Sequence, residues 1–208
     1  MEKKCCVEWC DNKVKSNTCE YCQKHYWQLW KHGKVFRTIY DEQEIVNKND
    51  YSIIIIRDKN GEEIAQVKID TEDVDKIKKY KWCRNSNGYI IGNFSRNKKI
   101  LIHRYIMDVL EDTNVVVDHI NHDILDNRKC NLRICSISEN NMNSKMKNNK
   151  LGIRNISWVD KDNSYRCVIT KDGKVYSKYS QDLEYLINWR DKKLKELHGE
   201  FAYIEDEQ

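Results

Sequence analysis

The sequence predicts an α+β, multidomain protein: a small cysteine-rich N-terminal module, a central scaffold of strands and short helices, and a C-terminal three-stranded sheet plus helix. Three observations carry this. Five of the nine cysteines, Cys5, Cys6, Cys10, Cys19 and Cys22, crowd the start of the chain. From Tyr51 onward, strand-patterned runs bounded by turn signals alternate with short helical stretches. At the end, three short strands lead into one amphipathic helix. With 34% charged residues, 39% hydrophobic residues and no proline, the 208-residue chain is too polar for one large core.

The formal net charge of +4 is too small for bulk charge to imply a polyanionic partner. Charge is instead local: NSKMKNNK carries Lys145, Lys147 and Lys150 with no acid, and residues 76–84 hold four lysines and an arginine with no acid. No apolar run approaches the roughly 18 residues of a membrane span, and MEKKCC lacks the apolar core of a signal peptide. A soluble, cytoplasmic protein is expected. Thiols stay reduced in that compartment, so clustered cysteines read as metal ligands.

Residues 1–36 form the first predicted module. Cys5-x4-Cys10 and Cys22-x2-His25 supply the four soft or borderline ligands of a closed tetrahedral zinc site; Cys6 and Cys19 are alternates, and Cys19-x2-Cys22 is a competing pair. So short a segment cannot fold on apolar burial, and the metal would supply its stability. A short aromatic helix with Tyr26, Trp27 and Trp30 follows and stops near Gly33; residues 37–50 read as a polar connector. Cys83, Cys130, Cys135 and Cys167 are scattered and read as small apolar residues.

The central region begins with SIIIIRD, the turn KNGEE and IAQVKID, two strands and their turn. TEDVDKIKKYKW predicts a helix with Thr71 as N-cap and Val74, Ile77 and Tyr80 on one face. GYIIGNF and KKILIHRYIM read as two more strands. Val115 to Val117 predict a buried strand delivering Asp118 and His119, NLRIC a second strand, and Ser136-Ile-Ser-Glu139 a capping box that starts a helix. The order strand, polar loop, strand, helix puts Asp118 and His119 on one element and Asn140 on another, able to pinch a metal ion between them. A basic linker, 144–150, leads to residues 151–204. There GIRNISW, SYRCVIT and KVYSKY are strands, and LEYLINWRDKKLKELHG is a helix striped by Leu183, Leu186, Ile187, Arg190, Leu194 and Leu197, with Gly199 as its stop.

DHINHDILDNRKCNLRICSISENNMN resembles the motif of the HNH nucleases, specifically the phage and bacterial homing-type endonucleases with Asn in the later positions. KYKWCRNSNGYI and ILIHRYIM resemble the strands that precede that motif, CCVEWCDNKVK to CQKHY their zinc-binding leader, and GIRNISW to HGEFA the AP2-like DNA-binding domain often fused to them. The resemblance implies a nuclease domain over 51–143, with its ββα-metal motif at 115–143. It implies His119 as the general base that activates water, Asp118 and Asn140 as ligands of one Mg²⁺ or Mn²⁺ ion, and Asn131 as the residue that holds the loop. It further implies double-stranded DNA as substrate and products with a 5′ phosphate and a 3′ hydroxyl. The chemistry agrees: a neutral imidazole accepts a proton near pH 7, and carboxylate and amide oxygens are hard ligands that leave room for water and phosphate.

His122 reads as a polar loop residue, while His103, Asn127, Arg128 and Arg133 are candidates for positioning phosphate. In AP2-like domains the sheet lies against DNA; the matching positions are Arg154, Trp158 and Arg166, with Lys174 and Lys178 at phosphates, and Trp158 equally readable as core. Tyr165 stands where that family often has Trp, Asn155 replaces a usual Gly, and VYSKYS departs from the usual Gly-aromatic pattern. The leading reading is a metal-dependent, site-specific DNA endonuclease, with a monomer favoured and the oligomeric state left open. A DNA-binding regulator with an inactive nuclease centre is the alternative, and an RNA-binding zinc protein the third.

Overall fold

The structure is a computed structural model that describes residues 3–95, 98–142, 150–171, 173–202 and 204. The elements group into two units. One runs to Asp112 and resumes over Val117–Arg133; the other takes Thr113–Val116 and continues from Ile134.

In the first unit the cysteine-rich segment is a set of tight turns joined by main-chain bonds, among them Cys5 N–H to Asn12 O at 2.9 Å and Cys6 N–H to Glu20 O at 2.9 Å. Helix α1 (Gln23–His32) follows and ends at Gly33, whose φ of 69° lets its N–H reach Leu29 O. The Gln28 side chain then brackets the main chain of Phe36, donating to its carbonyl at 3.0 Å and accepting from its N–H at 3.4 Å. Lys24 pairs with Asp41, whose carboxylate also accepts from the Thr38 N–H at 2.8 Å. These bonds tie the cysteine-rich segment to the chain that follows, which is why both fall in one unit.

The stretch read from sequence as connector contains a strand, β1 (Glu44–Asn47), which pairs antiparallel with β2 (Ser52–Arg57). The reason lies in β2: Ser52 to Ile56 are all buried, so it needs a partner on each edge, and polar EIVN supplies one. The other partner is β3 (Glu63–Ile69), giving the order β1-β2-β3. Thr71 does not cap the next helix. It begins a 3-10 turn, Thr71–Asp73, and its hydroxyl lies 3.1 Å from that of Ser52; α2 (Val74–Ile77) follows.

A second sheet has the order β4-β5-β6, from β4 (Trp82–Arg84), β5 (Ile90–Ser95) and β6 (Lys98–Leu101). KKILIHRYIM is therefore only half strand: it turns at Leu101 into α3 (Ile102–Ile106), burying Ile102, His103, Tyr105 and Ile106. Trp82 fills the centre of this layer with its indole N–H on Ile77 O at 2.9 Å, and a Cβ at Gly92 would meet its ring at 2.9 Å.

The polar motif rests on β7 (Val115–His119) and β8 (Leu132–Ser136), a two-stranded sheet. The expected capping box forms: the Ser136 N–H and hydroxyl both donate to Glu139 at 2.8 Å, and the Glu139 N–H returns to the Ser136 hydroxyl at 3.2 Å, starting α4 (Ile137–Met142). In the second unit β9 (Ile156–Val159), β10 (Ser164–Lys171) and β11 (Lys174–Ser180) form an antiparallel sheet in the order β11-β10-β9. Helix α5 (Leu183–His198), capped by the Asp182 carboxylate and ended at Gly199, packs on it around Ile156, Cys167, Ile169, Leu186 and Leu194. Among the described residues no helix is long and apolar enough to cross a membrane.

The β2–β3 turn depends on Gly61. Its φ is 87°, and a Cβ there would lie 2.3 Å from the Phe36 ring and 2.7 Å from Arg37 O. Gly61→Ala is expected to lower the unfolding free energy by about 2–4 kcal/mol, read in urea as a lower midpoint at unchanged slope. Gly173→Ala, also left-handed at φ 75° but with nothing within 4 Å of the added Cβ, should lose only about 1 kcal/mol.

Candidate functional site

The loop between β7 and β8 holds itself by polar bonds. Asn131 is its clasp: its side-chain oxygen accepts from the Asn121 N–H at 3.0 Å, its amide donates to Asp126 O at 2.8 Å, and its carbonyl accepts from the Ile120 N–H at 2.9 Å. The loop also docks on the edge of β3, with Lys68 N–H on Leu125 O and Asn127 N–H on Lys68 O, both at 2.8 Å. Asp126, 2% exposed, accepts from the Arg128 guanidinium at 2.8 and 2.6 Å, and this cation holds its carboxyl below the usual carboxylate range. His122, at φ 62°, closes a turn by donating its N–H to His119 O.

His119 is buried beneath this loop. Its Nε2 lies 3.2 Å from the side-chain oxygen of Asn127, whose amide nitrogen donates to Ile124 O at 3.2 Å. That second bond fixes which end of the Asn127 amide faces the ring. An oxygen at Nε2 suits the tautomer that carries its N–H there. Burial lowers the His119 pKa, opposed by the Asn127 bond and by Asp118, which favours the neutral, proton-accepting form.

His103, expected in a strand at the phosphate, sits instead on α3 against His119, with ring centroids 5.0 Å apart and edge to face; Tyr89 approaches both rings. Among the described residues His103 Nδ1 has no hydrogen-bond partner, and burial pushes its pKa down to about 3. Tyr89 and Asp126 escaped the sequence reading. The Asp126-x-Arg128 spacing was a visible signal for the second; nothing local marks the first.

Strand β7 continues through both Asp118 and His119, and alternation sends them to different partners. Asp118 Oδ2 accepts from Arg133 Nε at 3.0 Å and Nη2 at 2.8 Å. Arg128 and Arg133, expected at phosphate, thus both hold carboxylates of the motif itself. Asn127 likewise holds His119. Asn140 is half-buried on α4, in the second unit.

The N-terminal turns bring Cys5, Cys10, Cys22 and His25 together, their ligand atoms all within 4.8 Å of one another. Cys10 and Cys22 sulfurs are 3.8 Å apart, and His25 Nδ1 lies 3.3 Å from the Cys5 sulfur and 3.5 Å from that of Cys22. Four ligands around zinc, with Zn–S near 2.3 Å and Zn–N near 2.0–2.1 Å, stand about 3.6–3.8 Å apart. The cluster can therefore hold a zinc ion, and the Cys22 N–H, 3.3 Å from the Cys5 sulfur, would help hold a thiolate there. The alternates stay outside it: Cys6 is exposed, and Cys19 accepts from the Tyr21 N–H.

An uncharacterised HNH endonuclease of Acanthamoeba polyphaga mimivirus is 30% identical over 131 residues, covering 61% of this chain and 67% of the relative. The chain belongs to the HNH endonuclease family. Protein 3.8 of Escherichia phage T7 is 34% identical over 87 residues, covering 41% of this chain and 72% of its own. No family model and no solved structure matches.

In this family member's second unit the residues expected at DNA divide between two faces of the sheet. Trp158 pairs across strands with Tyr165, and Lys178 with Cys167; Tyr165 and Cys167 belong to the α5 side, as does Lys171, the partner of Lys174. Arg166 pairs with Ser157 and Tyr179 on the other face, its guanidinium 5.4 Å from the Tyr179 ring. Trp158 is not core: it is 40% exposed, with its indole N–H on Asp160. Arg154 donates to Asn141 O at 3.4 Å, and Asn155 takes the left-handed φ of 65° expected where it replaces Gly. Lys150 is exposed, while Lys145 and Lys147 lie outside the described residues.

Two measurements bear on this site. Metal analysis of the purified chain should find one zinc, lost in Cys22→Ser and kept in Cys6→Ser. The second concerns pH. The folded state keeps His103 neutral down to about pH 3, whereas the unfolded imidazole takes a proton near pH 6.5. The unfolded state binds more protons in between, so stability present above pH 6.5 is lost as pH falls, by about 2 kcal/mol at pH 5. His103→Phe should remove this part of the slope in unfolding midpoints compared at pH 7 and pH 5.

Proposed function

We propose that this chain is a metal-dependent endonuclease that hydrolyses phosphodiester bonds of double-stranded DNA at a specific site, in the manner of homing enzymes, with His119 as general base. The observation that supports this best is the oriented, buried His119. Asn127 engages its Nε2, Asn131 keeps the loop closed so that the ring holds its direction, and the neutral imidazole is the group that takes the proton of the attacking water. Preorganisation of this kind lowers the barrier because no side chain must be reoriented during reaction.

Asp118 is the proposed metal ligand, and its fit rests on donor chemistry alone: a carboxylate is a hard ligand suited to Mg²⁺ or Mn²⁺, which would have to displace the Arg133 guanidinium that now holds it. Asn140 as the second ligand rests on the resemblance of the sequence motif. A Mg²⁺ or Mn²⁺ ion bound there would supply Lewis-acid stabilisation of the phosphate and the departing 3′ oxygen. The Cys5, Cys10, Cys22 and His25 cluster takes zinc as a structural ion, and the second unit acts as an AP2-like DNA-binding module through the open face that carries Arg166 and Tyr179. The enzyme works as a monomer in the cytoplasm of a bacterial or phage-infected cell. The Asp118–Arg133 ion pair favours one other reading, a sequence-specific DNA-binding regulator whose nuclease centre is inactive.

A plasmid-nicking assay separates the two. With Mg²⁺ the parent chain should nick supercoiled DNA, and His119→Ala should slow nicking by about 10²–10⁴-fold, with Asp118→Ala also impaired and DNA binding retained in both. Tight binding by the parent with no metal-dependent nicks would leave the regulator reading standing.

A further inference from the structure

An open groove of about 570 Å³ on the first unit is built from residues that the proposed reaction does not use. One wall is the end of α1 with Lys31, His32 and Lys34, the floor is Phe36, and the opposite wall is the β2–β3 turn with Lys59. We infer that this groove binds the sugar–phosphate backbone of duplex DNA, with Trp27 and Trp30 of α1 packing beside it on the sugars. The inference rests on the proposal that DNA is the substrate, and adds to it a contact made by the zinc-bearing module.

Charge is the first argument. Lys24, Lys76, Lys98, Lys129 and Lys193 each have a carboxylate partner. Lys31, Lys34 and Lys59, like several other lysines, have no carboxylate partner among the described residues, and these three converge on one groove whose lining contains a single acid, Glu62. Three uncompensated ammonium groups in one concavity raise the local concentration of polyanions, and each phosphate they neutralise releases counterions.

Rigidity is the second. Gln28 clamps the Phe36 main chain, Gly61 fits against the Phe36 ring where no Cβ could stand, and the Arg57 guanidinium donates to Gly61 O at 3.2 Å. Both lysine-bearing walls are thereby fixed to the same floor, so the charges are spaced before a ligand arrives. The third argument is the exposed aromatic pair. Trp27 and Trp30 are 51% and 70% exposed, with rings 5.1 Å apart, and Trp27 stands one helical turn before Lys31 on the same side of α1. Apolar rings beside unpaired cations match the alternation of sugar and phosphate along a strand. The groove is too open and too polar to enclose a small apolar ligand.

The test uses the whole 208-residue chain carrying His119→Ala, chosen so that bound DNA is not cut, and a mixed-sequence DNA duplex, followed by fluorescence anisotropy from about 50 to 200 mM salt. Replacing Lys31, Lys34 and Lys59 together by Gln should reduce the log–log salt slope by about 2–3, at roughly 0.9 for each phosphate no longer neutralised, and weaken binding at least tenfold at about 100 mM salt. Trp27→Ala with Trp30→Ala should weaken binding at unchanged slope. An unaltered melting temperature would show that these exposed positions leave the fold intact. A salt slope retained by the triple variant would show that the groove neutralises no phosphates and overturn the inference. Failure of the nuclease reading is distinguishable: a parent that binds duplex with this slope and never nicks sinks that reading and leaves the groove standing.

Discussion

The side chain of Asn131 closes a loop that has almost no apolar means of closing itself. One amide accepts from Asn121, donates to Asp126 O and sits where its own carbonyl takes the Ile120 N–H. The direction of His119, the turn at His122 and the seat of Asp126 all follow from that closure. A short polar segment pays for its order through satisfied hydrogen bonds, because buried polar groups left unpaired would each cost about 1–3 kcal/mol. Asp126 with Arg128 and Asp118 with Arg133 serve the same end, neutralising a buried and a partly buried carboxylate within the motif.

The two ends of the chain solve the problem of small size differently. The cysteine-rich turns gather three sulfurs and an imidazole, and their apolar company is slight: Val7, with Trp9, Tyr21 and Val35 partly buried around Cys5 and Cys22. The C-terminal unit relies on ordinary burial, a helix laid on a sheet around Ile156, Ile169 and Leu186. Between them, β2 is buried on both faces and recruits a polar neighbour strand, which shows pairing demand overriding local composition.

Residues whose roles depend on near neighbours in the chain were legible. The Ser136 and Glu139 capping box, the α5 stripe with its Gly199 stop, and the gathering of Cys5, Cys10, Cys22 and His25 all appear as the spacing implied. The conversion of HRYIM from strand to helix was not, because a run of buried residues looks alike in both periods when it is only five residues long. Nor was the division of Arg166 from Trp158, Lys174 and Lys178: which face a strand residue takes is set by register against its partners.

The sequence by itself determined most of the elements, though not β1 or α3, together with the resemblance of the central motif and the residue types able to do the chemistry, since caps, turns and ligand spacings act over a few residues. Tertiary structure decided who holds whom. It placed His103 and Tyr89 on His119, gave Asn127 rather than solvent to Nε2, and occupied Arg128 and Arg133 with carboxylates. The physical reason is distance along the chain: a hydrogen bond or ring contact between residues far apart in sequence leaves no periodic trace, and only the folded geometry selects the partner.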